Sequence, residues 1–304
     1  MKKQTPSRRN WSESGKKYKK YNPKDLSHRH GNPGNHYCVG NDLIDDQVLG
    51  VPMAEAENII AQIHQVSYGE YTPVSAEKKG EPYPQYLDQV TDQSGLIDLP
   101  DASEFSPTNR DLLSLLEKRR SLRRYDETAV MSLEDLSYLL MYTQGIREID
   151  QKRDLTNRYV PSAGSRHPFE TYLLIQKVNG LQPGVYRYIA PLHALEVFQL
   201  NPEAIQKAHG SVYKQKQVIT SAVTFFWVAD TYRTSWRYST RAYRYINLDA
   251  GHVCQNLYLC AESIDYGVCA IGSFDDHLAN SLFALDGVQR FVVYGASVGK
   301  HLPS

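Results

Sequence analysis

The sequence predicts an α+β fold, and three observations carry that expectation. Helical and strand-like segments follow one another without regular βαβ alternation. The longest helical signal, Ala242 to Tyr266, carries apolar residues almost all round. The run Ala222 to Ala229, AVTFFWVA, is apolar but for one threonine. A helix without a polar face belongs inside a core, and a short β-rich run without alternation belongs in a strand covered on both sides. At 304 residues the chain has room for one large core or two modest ones.

The elements follow in order. Residues 1–52 form a basic tail, rich in Lys, Asn, His, Pro and Gly and without apolar periodicity; such a segment cannot offset its ordering entropy and is expected to be disordered. Ile59, Ile60, Ile63 and Val66 recur at helical spacing, so a short helix starts near Ala54. Residues 68–107 are rich in Pro, Gly and Asp and read as an extended linker or arm. The chain is thus divided into a tail (1–52), a helix with an arm (53–106) and a folded body (107–304).

In the body, Thr108 is placed to cap a helix through Lys118, with Leu112, Leu113, Leu115 and Leu116 on its buried side. Ser132 with Asp135 makes a capping-box-like start for SLEDLSYLLMYTQG, which Gly145 can end in a left-handed turn. Glu170 to Lys177 reads as a strand, and Gly184 to Ile189 with Leu195 to Leu200 as a hairpin around a turn at His193. A polar helix is expected from Pro202 to about Lys216, and Val223 to Ala229 is the buried strand. Gly267 caps the long helix, Val268 to Phe274 is a strand, Asp275 opens a short helix DDHLANSLFAL, and Gln289 to Tyr294 is the last strand.

Charge and cysteine usage exclude some classes. The formal net charge is zero, but residues 1–30 hold ten Lys/Arg against Glu13 and Asp25, a net of +8 that leaves −8 for the remainder. A basic tail can hold nucleic acid electrostatically; this one has no apolar face and reads first as a solvated segment, so nucleic acid is not the expected partner. No stretch of roughly 18 apolar residues exists, so no membrane span is expected. The four cysteines (Cys38, Cys254, Cys260, Cys269) form no CxxC pair and have no histidine at ligand spacing. That leaves no predicted metal site and no disulfide framework, and suits reduced thiols in the cytoplasm.

Four segments hold the candidate chemistry. Arg119 to Tyr125, RRSLRRY, places four arginines and a serine directly after a helix. Fixed cations at that density call for an anionic partner such as a phosphate, although an arginine-rich loop can also be merely solvated. Pro161 to Pro168, PSAGSRHP, has a restrained entry at Pro161 and then Ser162, Ala163 and Gly164, small enough for backbone to approach a planar ligand. Ala270 to Asp276, AIGSFDD, follows a strand and precedes a helix, exposing backbone N–H groups at Gly272 and Ser273. Trp236 to Tyr245, WRYSTRAYRY, runs into LDAGHVCQNLYL. His167 is a candidate acid or base and also a plausible turn-packing residue. Asp249, Gly251 and His252 share one helical turn, as a buried hydrogen-bond network or a catalytic group would.

In this order, and followed by Gly299-Lys300, these segments resemble the nitroreductase superfamily over residues 110–300, and within it the SagB/ThcOx-type flavin dehydrogenases. The distinctive stretch is WRYSTRAYRY with LDAGHVCQN, where that group commonly has Trp-Lys-Tyr-Gly before Arg-Ala-Tyr-Arg and an acidic-Ala-Gly-His-x-x-Gln-Asn run. The resemblance implies a central, mostly antiparallel sheet flanked by helices, a homodimer, and FMN as cofactor. It implies Arg119, Arg120 and Ser121 at the phosphate and ribityl chain, and Arg123 beside the N1 and C2 carbonyl of the ring. Lys300 is implied as a C-terminal cation near the phosphate, an amide of the Gly272-Ser273 turn as facing N5, and Gln217 as a candidate for the pyrimidine edge. The loop with Pro161, Ser162, Ala163 and Gly164 is implied to reach the flavin across the dimer interface.

The activity so implied is hydride transfer at N5 to or from a small or peptide-borne substrate. In azoline oxidases of the group a Lys-Tyr pair is thought to take the proton; here the pair is Arg237-Tyr238, and arginine is a poor general base near neutral pH. The departure puts azoline oxidation in question and leaves Tyr238 and Arg237 as the catalytic candidates. No GxGxxG or P-loop pattern is present, so NADH or NADPH would act as a transient co-substrate against the flavin. The alternative, motivated by Arg237, is a non-catalytic partner that presents peptide to a modifying complex.

Overall fold

The structure is a computed structural model that describes residues 53–85, 90, 94–150, 152–153 and 155–303. Contacts divide the chain into residues 1–48 and 49–304, and every described residue lies in the second unit. The disordered tail expected over 1–52 falls outside the described residues.

The centre is a seven-stranded sheet in the order β1-β6-β5-β4-β7-β9-β8. Its strands are β1 (Ile97–Asp98), β4 (Phe169–Ile175), β5 (Gly184–Ile189), β6 (Ala194–Gln199), β7 (Val223–Asp230), β8 (Tyr266–Ile271) and β9 (Arg290–Lys300). Every pairing in it is antiparallel. A separate hairpin joins β2 (Ile146–Asp150) to β3 (Leu155–Arg158). β7 sits centrally between β4 and β9, and its side chains alternate between two cores: Phe225 and Trp227 on one face, Phe226 and Val228 on the other. Both faces of the sheet are covered by helices, which is why the run over 223–229 lacks a polar alternation.

The first face is covered by α3 (Leu133–Gln144) and the 21-residue α7 (Ala242–Glu262), whose Ile246, Val253, Leu257 and Ala261 are buried. The other face carries α4 (Pro202–Ser211) and α8 (Asp276–Leu282). The remaining helices are α1 (Met53–Gln65), α2 (Leu112–Lys118), α5 (Lys216–Ile219) and α6 (Thr231–Tyr238).

Several local expectations are corrected. Asp111, not Thr108, caps α2, its carboxylate accepting from the amides of Leu113 and Ser114, while Thr108 Oγ1 donates to the Ser263 carbonyl. Only Leu115 of α2 is buried; Leu112, Leu113 and Leu116 face outward, Leu113 at 70% exposure. Ser132 does cap α3, but Gly145 is extended rather than left-handed (φ −61°, ψ 149°), because the chain passes straight into β2. The helix after Pro202 breaks at Ser211, with Tyr213 and Lys214 left-handed before α5. α7 stops at Glu262, and Asp265 (φ 64°) makes the reversal that the sequence pattern assigns to Gly267, which lies inside β8. β9 runs eleven residues, so Lys300 is part of the sheet. The arm is not featureless: it forms single 3-10 turns at Gly69–Tyr71 and Glu77–Lys79 and supplies the edge strand β1.

Candidate active site

After α2 the chain turns outward at Arg119 and runs beside β8, where Ser121 bridges Val268 and Leu122 N donates to the Val268 carbonyl. This brings the arginine segment onto Tyr258 of α7. The Arg119 guanidinium lies 5.3 Å from the Tyr258 ring centre, Ser121 Oγ is 3.1 Å from the Tyr258 hydroxyl, and that hydroxyl also accepts from Ala270 N at 3.0 Å. Burial raises the pKa of the Cys269 thiol, and the charge of Arg123 opposes that shift. Arg120 is turned away: its Nη1 donates to the carbonyls of Glu117, Lys118 and Arg119, closing the C-terminal end of α2. Neither Arg119 nor Arg123 has a carboxylate partner among the described residues. Lys300 is held from below, Nζ donating to the Ile264 carbonyl (3.1 Å), pairing with Asp265 (3.4 Å) and lying over the Tyr266 ring.

The second cluster is anchored on Asp249. Ser162 Oγ donates to its carboxylate at 2.6 Å, Ala163 N does so at 3.2 Å, and Ser162 Oγ in turn accepts from His167 N. Burial raises the Asp249 pKa, and the bonds from Ser162 and Ala163 offset part of the shift. The loop is tightly wound, with Gly164, Ser165 and His167 all at positive φ (57°, 54° and 44°). Pro161 is exposed at its entry, as are Gly251 and His252 beyond it on α7. His167 is buried, and burial together with the charges of Arg158 and Arg166 pushes its pKa down to about 2, which favours the neutral imidazole.

Arg237 and Tyr238 close α6 beside this loop. A methyl group on Gly164 would overlap the Tyr238 hydroxyl and approach Arg237 Cδ. The Tyr238 ring packs edge-on against Tyr245, and Arg237 Nε lies 3.6 Å from the Glu77 carboxylate. Arg166, which sequence reasoning did not single out, belongs here too. It is only 2% exposed, donates Nε–H to the Gly164 carbonyl, and lies over the rings of Tyr83 and Trp236. Its Nη1 is buried without a hydrogen-bond partner among the described residues. Nothing in SRHP separates a buried arginine from a solvated one, so only the fold could reveal it.

Gly272 and Ser273 are exposed directly after β8. Gly272 lines a cleft of about 520 Å³ with Tyr243, Ile246, Phe274 and Phe291, and Ser239 and Thr240, next after Tyr238, are on the same wall. Gln217 is buried with its amide donating to Gln215, whose own amide donates to the Ser273 carbonyl, so a two-residue relay supports the turn.

One relationship organises the whole. Asp249 and Tyr258 are nine residues apart on α7, which is a half turn beyond two full turns and about 13 Å along the axis. The arginine segment and the 161–168 loop therefore sit on opposite flanks of one helix. The structure joins Arg119 and Ser121 in one cluster and Ser162, Ala163, Gly164, Arg237 and Tyr238 in another, and within one chain it keeps the two apart.

Comparison with known proteins agrees with this architecture. The chain is 34% identical over 181 residues to the presumptive nitroreductase MJ1384 of Methanocaldococcus jannaschii, spanning 60% of this chain and 85% of that one. It is 28% identical over 183 residues to the trifolitoxin-processing protein TfxB of Rhizobium leguminosarum bv. trifolii, spanning 54% of this chain and about half (47%) of TfxB. Among solved structures, a nitroreductase-type protein of Anabaena variabilis matches with TM-score 0.52 at 25% identity, over 62% of this chain and 38% of that chain. The Escherichia coli microcin synthetase McbBCD complex with truncated pro-MccB17 matches in fold, with TM-score 0.53 at 17% identity, over 82% of this chain and 94% of that chain. The nitroreductase family model matches residues 116–300, from α2 through the end of β9, and the chain belongs to the nitroreductase family.

Proposed function

We propose that the protein is a homodimeric, FMN-dependent oxidoreductase of the SagB type that moves a hydride to or from a small or peptide-borne substrate. The observation that carries this reading is the positive charge of Arg119 and Arg123, which no carboxylate of the described residues balances. A guanidinium and a serine hydroxyl meeting at Tyr258, with the charge of Arg123 felt at Cys269 of the adjoining β8, are a donor set that a phosphate-bearing ligand fits. Arg119 and Ser121 would hold the phosphate and ribityl chain, with Lys300 as a further cation, and Gly272 and Ser273 would present backbone to the ring. FMN, when bound, supplies a two-electron centre that accepts or gives hydride at N5.

The chain's own residues do the rest. Arg123 stabilises negative charge on the ring system. Tyr238, held between Gly164 and Tyr245, orients the substrate and carries a proton at its hydroxyl, while Arg237, a guanidinium and so a poor general base, acts on orientation alone. A second copy of the chain brings its loop over 161–164 to the arginine side, which explains why the two clusters flank α7 in one chain. The outward Leu112, Leu113 and Leu116 offer an apolar surface for that copy. The name of TfxB, a trifolitoxin-processing protein, supports a peptide-borne substrate. NADH or NADPH would serve as transient co-substrate. Cys254, Cys260 and Cys269 are free thiols, in keeping with a reducing cytoplasm, and no described helix is long and apolar enough to cross a membrane.

Reconstitution with FMN followed by gel filtration tests the reading. The protein is expected to elute yellow, as a dimer; a colourless protein would overturn it. A second reading, a peptide-presenting partner without turnover, is favoured by the engagement of Arg237 with Glu77. Steady-state reduction of bound FMN by NADH or NADPH eliminates it.

A further inference from the structure

The stretch from Tyr232 to Arg244 turns half of its polar side chains onto the chain's own residues 66–81, at the end of α1 and in the arm. Trp236 Nε1 donates to the Glu81 carbonyl at 3.0 Å, Thr240 Oγ1 to the Val66 carbonyl at 2.7 Å, and Arg241 Nε to the Ser67 carbonyl at 2.8 Å. Arg244 Nη2 reaches Ser67 Oγ at 2.6 Å. Two further contacts are to carboxylates: Tyr232 donates to Glu81 and Arg237 pairs with Glu77. Another is aromatic, with the Tyr83 ring 4.8 Å from the Trp236 ring and under the Arg166 guanidinium.

These contacts have a common character. Main-chain carbonyls are groups that any peptide carries, so the Trp236 donor reads the backbone of the arm at Glu81 and not its sequence, as Thr240 and Arg241 do at the end of α1. The carboxylate and ring contacts add a preference for acidic and aromatic side chains. At the Glu77–Lys79 turn the hold on the arm is correspondingly replaceable. No residue of the Glu77–Lys79 turn is buried, residues 81–85 have no regular structure, and the Arg237–Glu77 pair is more than a third exposed on both sides, where ion pairs are weak. Beneath it, Arg166 keeps one buried donor, Nη1, that the described residues of the arm leave unused.

We propose that this face of α6 and the start of α7 is a docking platform for an extended peptide carrying a carboxylate two residues before an aromatic ring, and that the arm, through Glu81 and Tyr83, occupies it in cis. The proposal deepens the peptide-borne reading of the substrate and rests on it. A tethered arm competes at high effective concentration, so a free peptide binds weakly until the arm's own side chains are removed. The platform adjoins Arg237 and Tyr238, so its occupant decides what reaches them.

The test is a fluorescein-labelled peptide with the sequence of residues 76–85, AEKKGEPYPQ, titrated into the full chain and into its Glu81→Ala, Tyr83→Ala double variant, read by anisotropy. Binding to the variant is expected to be at least ten-fold tighter, and a peptide with alanine at its second glutamate and its tyrosine is expected to lose at least ten-fold. Equal affinity of the two protein forms, or of the two peptides, overturns the proposal. Hydrogen exchange on the unaltered chain needs no variant: millimolar peptide is expected to speed exchange over residues 77–85 and leave β7 unchanged, and no acceleration overturns it. Flavin absorbance in the same samples separates the two readings, since retained flavin without arm displacement sinks the platform alone.

Discussion

The hydroxyl of Tyr238 rests directly on the α-carbon side of Gly164, in a loop whose backbone there is left-handed. Gly164→Ala therefore meets two penalties, a positive φ and a collision with the phenol. It is expected to destabilise the protein by about 1–3 kcal/mol. Tyr238→Phe removes the colliding oxygen, so the double variant should recover part of the loss. Urea unfolding of the four proteins in a double-mutant cycle measures this, and strictly additive changes would show that the two residues do not touch.

Arginines 119, 120 and 123 are neighbours in sequence, but the proposed function gives a role at the flavin to Arg119 and Arg123 and none to Arg120, which is bonded to the end of α2. Arg119→Ala and Arg123→Ala are expected to weaken FMN at least ten-fold, about 1.4 kcal/mol or more, and Arg123→Ala also to lower the flavin reduction potential. Arg120→Ala, which removes only a helix-end contact, should change FMN affinity less than two-fold. Fluorescence titration with FMN and a redox titration decide between these outcomes.

Acid should destabilise this protein through His167. Its folded pKa is pushed down to about 2, against an ordinary value of 6.5. As pH falls below 6.5 the unfolded chain takes up a proton that the folded one refuses, so stability present at neutral pH is lost on acidification. One such site contributes up to about 1.4 kcal/mol per pH unit. His193 and His209, also lowered by burial, act in the same direction. Unfolding free energies at pH 7, 6 and 5 should fall accordingly, and His167→Gln should flatten the slope by about one proton.

Complementation between chains tests the flanks of α7. A variant without Arg119 and Arg123 and a variant with Asp249→Ala, which frees Ser162 and Ala163, are each expected to lose most flavin. Mixed dimers assembled from both should regain one intact site per pair. Flavin content of the mixture equal to the mean of the separate variants would rule out sites shared between chains.

The sequence made the strand over 223–229 and the long helix legible because each lacks a polar face, and a segment without one can lie only in an interior. It made the RRSLRRY and PSAGSRHP segments legible because their residue types are concentrated. It did not reveal that α2 turns three leucines outward, since a seven-residue helix shows the same periodicity whichever way it faces. Nor did it reveal Asp265 as the reversal after α7, because an aspartate in the left-handed region competes with a nearby glycine that sequence rules prefer. Arg166, Tyr83 and Glu81 were invisible as a group: their meeting depends on a pairing across more than 150 residues, which no local pattern records.

β9 lies between β7 and β8, so β8 has no route into the sheet except through residues 290–300. During synthesis, the wall that carries Gly272 must wait for that strand to leave the ribosome, while β4 to β7 can already pair. Newly made chains stalled before residue 290 would expose the edge of β7 and the inward side of α7. Chaperone engagement and aggregation should therefore peak in that interval and vanish once the eleventh residue of β9 has zipped into place.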